Sequence, residues 1–522
     1  MKNILTIACA LAACAMAADV VKVESGALEG TANSDGTVRI FKGVPFAAPP
    51  VGNLRWQAPQ PVAPWTGVRK ADEFGLHCMQ GKVFNDIVPR DKGMSEDCLT
   101  LAVWAPMHAA SKKLPVYVWF YGGGFAAGAG DEPRYDGESF AKKGIIVVNV
   151  NYRLGVFGFF AHPELTLESP HKASGNYGLL DQVAGLEWVR KNIAAFGGDP
   201  HKVTIGGESA GSLSVSALMA SPLSKNLFQQ AVGESGAFFG TIGGRGKNTL
   251  ADSEKAGAAF AESIGAKSLA EMRAISAEDL LARASKMGNG IGFWPNVDGY
   301  FLPEEVPAIF AAGKQSQIPL LAGWNADEVR MMVMMAKEKP TAKTFPDAVR
   351  KQFKDRGDDA LKVYSASTDD EAVRAAGDLA SDNFIVFGTW KWLEMQAKTG
   401  QPVYRFEFDK TVPIPEAMKA MAPGLKSFGS AHASELEYVF NMLESKKADW
   451  QPDDQKMADT MNAYWANFIK TGKPGGPGLA PWPNYTKTHE VMHLNTESHA
   501  LPEAHRDRYV FLDSLQADSA TK

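Results

Sequence analysis

Cysteine is scarce in this chain of 522 residues: there are four, Cys9 and Cys14 fall within the first 17 positions, and Cys78 and Cys98 are what remains beyond them. No Cys or His set surrounds that pair at zinc spacing, so no metal site is expected. Long like-charge runs are absent, and a net charge of −5 offers no basic footprint for nucleic acid. Low-complexity sequence and internal repeats are absent too. Neither a P-loop nor a dinucleotide fingerprint accompanies the glycine triplet Gly122-Gly123-Gly124, so a phosphate cradle loses ground and no cofactor is expected. Beyond the extreme N-terminus, no apolar run is long enough to suggest a membrane span.

That N-terminus has Lys2, an apolar run from Ile4 to Ala13, and then Ala15-Met16-Ala17. The run is too short to cross a bilayer and fits a secretory signal over residues 1–17, which leaves a secreted or periplasmic chain starting near Ala18 or Asp19. Leu11-Ala12-Ala13-Cys14 also resembles a lipobox, in which Cys14 would be acylated and become the new N-terminus. An exported protein matures where disulfides persist, and Cys78 and Cys98 lie 20 residues apart in loop-like sequence, so a bridge between them is expected.

What is present is a soluble globular composition, 45% hydrophobic and 22% charged. Val20 to Phe41, with Ser34-Asp35-Gly36-Thr37 as turn, reads as an N-terminal hairpin or meander. After Cys98, short apolar runs suited to buried strands alternate with helical patterns. The strands are expected at Leu99 to Trp104, Val116 to Phe120, Ile145 to Asn151, Val203 to Ile205, Gln230 to Val232, Ile318 to Ala322 and Val403 to Phe408; Leu179 to Ala194 has helical periodicity. The alternation predicts an α/β fold with a mostly parallel central sheet covered by helices on both faces. Residues 18–522 are read as a single domain with helix-rich insertions at about 239–303 and 329–400. The odd run Met331-Met332-Val333-Met334-Met335 is expected to fill core space, with a pliable substrate surface as the alternative.

Gly207-Glu208-Ser209-Ala210-Gly211 lies between Val203-Thr204-Ile205 and an apolar stretch from Leu213 to Met219 that can continue as a helix. A G-x-S-x-G at a strand-to-helix turn is a nucleophile elbow, which lifts the serine hydroxyl clear of the sheet at the positive end of the following helix. Acyl transfer there needs a base, a group orienting that base, and donors for an oxyanion. Gly123 and Gly124 with the N–H of Ala210 are the candidate donors. His432, in a small-residue loop, is the best base, because His489, His493, His499 and His505 lie in a polar C-terminal stretch that reads as surface. The acid is expected where Ile318 to Ala322 ends in Gly323-Trp324-Asn325-Ala326-Asp327-Glu328; position alone does not choose between Asp327 and Glu328. Phe125, Ile291, Phe293 and Trp294 are candidates for the acyl side of a pocket, each with core packing as the competing reading.

These residues together resemble the type-B carboxylesterases, the family that includes cholinesterases and para-nitrobenzyl-type esterases. The likeness spans nearly all of the chain beyond its leader. It runs from Gly43-Val44-Pro45-Phe46 and Leu54-Arg55-Trp56 through Ser95-Glu96-Asp97-Cys98, Gly122-Gly123-Gly124-Phe125, Asn151-Tyr152-Arg153, Gly175-Asn176-Tyr177-Gly178 and Phe196-Gly197-Gly198-Asp199-Pro200 to Gly206-Gly207-Glu208-Ser209-Ala210-Gly211. The resemblance implies an α/β-hydrolase fold and a serine carboxylic ester hydrolase with Ser209 as nucleophile, His432 as base and Glu328 as acid. It also implies Ser235 supporting the acid, Glu208 beside the nucleophile, and ion pairs Arg55 with Glu96 and Arg153 with Asp181, which we read as structural staples. Two departures stand out. Val329 follows the glutamate where the family usually has glycine, and the loop from Cys78 to Cys98 lacks the choline-binding tryptophan of cholinesterases. The expected partner is a small or medium neutral or aryl ester, and the expected state a monomer or weak homo-oligomer. The rival readings are a lipase and a non-catalytic, adhesion-type relative.

Overall fold

The computed structural model describes residues 20–90, 92–109, 112–240, 248–286, 292–421 and 423–520. In chain order the strands are β1 (Val20–Val23), β2 (Gly26–Glu29), β3 (Thr31–Ala32), β4 (Val38–Pro45), β5 (Val68–Lys70), β6 (His77–Cys78), β7 (Met94–Ser95), β8 (Thr100–Pro106), β9 (Leu114–Phe120), β10 (Ile146–Val150), β11 (Gly198–Glu208), β12 (Gln230–Glu234), β13 (Leu320–Asn325), β14 (Val403–Phe408), β15 (Glu490–Leu494) and β16 (His499–Pro502). Eleven of them form one sheet in the order β16-β15-β14-β13-β12-β11-β9-β10-β8-β4-β3. Neighbours from β10 through β9 to β15 are parallel, and antiparallel pairs close both ends. This is the α/β-hydrolase architecture, and the sequence pattern explains it. Parallel strands covered on both faces need continuous apolar runs, and Val116 to Phe120, all of β10 and all of β13 are buried.

The strand positions agree with the apolar runs, with shifts at the ends. β11 is the longest, starting at Gly198 and passing a register shift before Val203, so its polar first half hid it in the sequence. The N-terminal segment divides between two sheets. β1 and β2 pair with β5 in a separate three-stranded sheet, whereas β3 and β4 edge the large one.

Two expectations need correction. The polar C-terminal stretch is not merely surface: it supplies β15 and β16, and Val491, Met492 and Leu494 are buried. The methionine run is not core. The short helix Arg330–Met334 buries none of its residues and Met332 is 66% exposed, while Met331 leans on Ile414 and Phe428. A single short turn has too little length to carry an apolar face inward.

Between β12 and β13 the described residues form helices at Leu250–Ser263, Leu269–Ala274, Ala277–Ala284 and Val306–Ala311. Between β13 and β14 lie Phe345–Phe353, Gly357–Val363, Asp369–Ser381 and Phe387–Ala397. Capping boxes begin two of them, at Thr249 with Asp252 and at Thr368 with Glu371. Cys78 and Cys98 are joined by a disulfide, with Cα atoms 5.0 Å apart. Arg55 grips Glu96 through two nitrogens at 2.6 and 2.5 Å, and Arg153 grips Asp181 at 2.8 and 2.7 Å. The second pair is wholly buried, and its fork geometry keeps both carboxylate oxygens satisfied.

Candidate active site

Ser209 stands between β11 and the helix Ala210–Ala220 at φ 53°, ψ −119°. A non-glycine residue there costs about 1–3 kcal/mol and persists only if its surroundings hold it. Here the Ser209 N–H donates to the Glu234 carbonyl at 2.8 Å, at the end of β12. The helix also crosses β9 very closely. A Cβ on Gly211 would lie 2.0 Å from the Phe120 carbonyl oxygen, so glycine is required at that crossing.

Two loops at the carboxyl ends of the strands complete the site. Glu328 follows β13, and His432 lies in the loop after β14. Imidazole Nε2 is 2.9 Å from Ser209 Oγ, and Nδ1 is 2.6 Å from Glu328 Oε2. The other Glu328 oxygen accepts from Ser235 Oγ at 2.6 Å and from the Asn325 N–H at 2.8 Å. The loops are also joined by backbone: the His432 N–H donates to the Glu328 carbonyl at 3.0 Å. Val329, in the place of a glycine, has φ −121°, ψ 15° and a buried side chain, a negative φ that does not require glycine.

Gly123, at φ 102°, and Gly124, at φ 63°, follow β9. Their N–H groups donate to no protein acceptor among the described residues, while the Gly123 carbonyl accepts from Ala126 and Ala127 at 3.1 and 3.0 Å. Ala210 is the first residue of its helix, where an N–H has no intrahelical partner. Three donors are therefore free near Ser209. The sequence brings them close through Gly122, on which a Cβ would lie 3.0 Å from Ser209 Cβ.

Further buried glutamates lie at and behind the site. Glu208 Oε1 is 3.2 Å from His432 Nε2. Glu435, from the loop just beyond His432, accepts from Asn325 Nδ2, and Glu234 accepts from the Trp465 indole at 2.8 Å. Burial, with the Glu435 charge adding to it and the His432 charge offsetting it in part, pushes Glu208 up to about 8. Burial and the Glu328 charge raise Glu435 to about 7, and burial raises Glu234 further. For His432 burial opposes the charged form, but the negative charges of Glu208 and Glu328 outweigh it and raise the imidazole above its ordinary value. Glu234 and Glu435 escaped the sequence reading because an isolated glutamate ordinarily signals surface, and only the packing of β12 and the His432 loop buries them.

Of the proposed pocket residues, Phe125 and Trp294 meet edge-to-face with centroids 5.0 Å apart, and Phe238 joins them, stacked at 6.1 Å from Phe125. Phe293 turns instead to Phe160 and Phe260, a core position. Ile291 lies outside the described residues. Phe238 and Phe384 were not foreseen; Phe384 sets its ring edge-to-face on His432 at 5.1 Å. Among the described residues one group, Glu394, His489 and Glu503, brings possible metal-ligand atoms within 4.8 Å of one another. Its carboxylates already pair with Arg506 and Arg405, which leaves no net charge to draw a cation.

Comparisons with known proteins place the chain in a family. The model of the carboxylesterase family matches residues 17–511. Fumonisin B1 esterase of Sphingopyxis macrogoltabida is 35% identical, with 91% of this chain and 86% of that protein covered. Para-nitrobenzyl esterase of Bacillus subtilis is also 35% identical, with coverage of 92% and 96%. A solved Geobacillus stearothermophilus carboxylesterase superposes with a TM-score of 0.80 at 32% identity over 94% of this chain and 99% of that one. With the family model and the relatives matching over nearly its whole length and the fold in agreement, the chain belongs to the carboxylesterase family.

Proposed function

We propose that the enzyme hydrolyses small to medium neutral or aryl esters through a Ser209-His432-Glu328 triad and an acyl-enzyme. The observation that carries this reading is the continuous chain of contacts from Ser209 Oγ through both imidazole nitrogens to Glu328, at 2.9 and 2.6 Å. His432 Nε2 takes the Ser209 proton as Oγ bonds to the ester carbonyl carbon, and the carbonyl π electrons move to oxygen. The N–H groups of Gly123, Gly124 and Ala210 hold that oxyanion. When the tetrahedral adduct collapses, the bond to the alcohol oxygen breaks and His432 returns the proton to the leaving alcohol. Water then attacks the acyl-enzyme by the same route. Glu328 keeps the Nδ1 proton in place and stabilises the imidazolium, and Ser235 holds Glu328.

The names of the two relatives, para-nitrobenzyl esterase and fumonisin B1 esterase, are those of enzymes acting on esters. Export is the accompanying proposal: the Cys78–Cys98 bond suits an oxidising compartment, as the leader does. Stoichiometric labelling by an aryl phosphonate, with the adduct mapped to the Ser209 peptide, tests the nucleophile. A panel of neutral aryl, alkyl, feruloyl and triglyceride esters tests the substrate class. The proposal expects soluble aryl and short alkyl esters to lead, and an emulsified triglyceride turned over fastest would favour the lipase reading.

A further inference from the structure

We propose that Gln80 is a positioning residue for the oxyanion hole. The inference rests on the reading of Gly123 and Gly124 as oxyanion donors. Gln80 lies two residues beyond Cys78, in the loop closed by the disulfide, and its side chain is buried. Its amide oxygen accepts the Gly128 N–H at 2.7 Å, and its amide nitrogen donates to the Gly128 carbonyl at 2.8 Å. A third bond, from the same nitrogen to the Cys78 carbonyl at 3.1 Å, ties the amide to the backbone of the disulfide cysteine. One side chain thus takes both backbone groups of one loop residue, as a neighbouring strand would.

Gly128 closes the turn that presents the donors. It sits at φ 123°, and a Cβ there would lie 2.7 Å from the Gly122 carbonyl oxygen and 2.4 Å from the Tyr121 ring. Across the same turn a Cβ on Gly123 would lie 2.1 Å from the Ala127 carbonyl oxygen. With contacts this close, Gly128 cannot shift without moving the Gly122-Gly123-Gly124 backbone. The loops are joined farther along by Arg134 with Asp86 and by Arg90 with Asp131. Those bonds lie beyond the donor turn, whereas Gln80 grips the turn where it closes. An N–H is effective only when it stands about 2.7–3.1 Å from the position of the developing oxyanion, so loosening this grip should weaken the transition state and leave ground-state binding nearly intact.

The test compares Gln80→Met, which keeps the side-chain length and removes the amide, with Gln80→Glu, which can accept from Gly128 but cannot donate to its carbonyl. Two quantities are read at a temperature where both variants are folded: kinetics on a neutral aryl ester, and the affinity of an aryl trifluoromethyl ketone, whose adduct with the nucleophile carries an oxyanion. The expected result for Gln80→Met is a fall of about tenfold to hundredfold in kcat/KM, below the loss of a whole donor. An equal fall in ketone affinity should accompany it, with KM within about twofold and Gln80→Glu intermediate. Wild-type kcat and ketone affinity alongside a lowered Tm would make Gln80 a structural residue only and overturn the proposal. If wild-type enzyme bound the trifluoromethyl ketone no tighter than its methyl counterpart, the oxyanion reading itself would fail, whatever Gln80 does.

Discussion

Asp327 and Glu328 are adjacent in the chain and serve different networks. Glu328 Oε2 lies 2.6 Å from His432 Nδ1, whereas Asp327 Oδ2 accepts the Ser430 N–H at 3.0 Å and the Asp327 carboxylate pairs with Arg330. The Asp327 N–H in turn donates to the Ser430 carbonyl at 3.1 Å. Asp327 therefore docks the two loops, and Glu328 uses the docking to reach the imidazole.

Glu328→Gln should lower kcat/KM roughly ten-thousand-fold by losing the tautomer anchor. Asp327→Asn should cost far less activity and show mainly as a lower Tm. Steady-state kinetics and thermal melts on both variants decide, and a reversed order of the activity losses would contradict the assignment of the acid.

The charge on Glu208 beside His432 sets the pH dependence. Because the imidazolium is stabilised by that carboxylate, the base is freed only at higher pH. Glu208→Gln should move the acid limb of kcat/KM to lower pH by roughly one unit or more. An unmoved limb, or one shifted upward, would show that Glu208 does not act on the base.

Glu435 has the sign of a buried acid whose folded pKa lies above its unfolded value. Its stability contribution is complete below the unfolded value of about 4.5 and is lost as pH rises through about 7. Glu435→Gln mimics the protonated form, so its Tm relative to wild type should rise between pH 5 and pH 8. A difference that fell with pH over that window would reverse the argument.

How much of this was legible in the sequence differs by element. β9 and β13 are bounded apolar runs, and the Ser209 elbow has its glycines on either side, so both could be read directly. The acid could not be chosen from position, because what separates Asp327 from Glu328 is a pair of bonds to a loop about 100 residues away. β15 was missed because His493 and Glu490 give a half-covered strand a polar look. Gln80 had no signal at all, since nothing local marks a glutamine that bonds a backbone 48 residues distant. In the disulfide loop Lys92 pairs with Glu73 and Arg90 with Asp136, so part of its positive charge is offset.

Phe84 is the one aromatic residue of the disulfide loop, and its ring lies beside Gly124. A single ring offers about 0.5–2 kcal/mol to a quaternary ammonium group, so acetylcholine should be hydrolysed with a kcat/KM similar to, or below, that of 3,3-dimethylbutyl acetate. A preference for the choline ester of about tenfold or more would reveal a cation site elsewhere.

The disulfide closes a loop with a sequence separation of 20. Replacing both Cys78 and Cys98 with Ser should lower unfolding stability by about 3 kcal/mol, measured by denaturant titration. Unchanged stability would mean that the hydrogen bonds between the loops hold the segment unaided.

The account depends most directly on Ser209. Its replacement by Ala should leave the fold and Tm close to wild type and lower kcat on a neutral aryl ester on the order of a million-fold. Turnover within about tenfold of wild type in a correctly folded Ser209→Ala protein would contradict the triad, the oxyanion hole and the mechanism built on them.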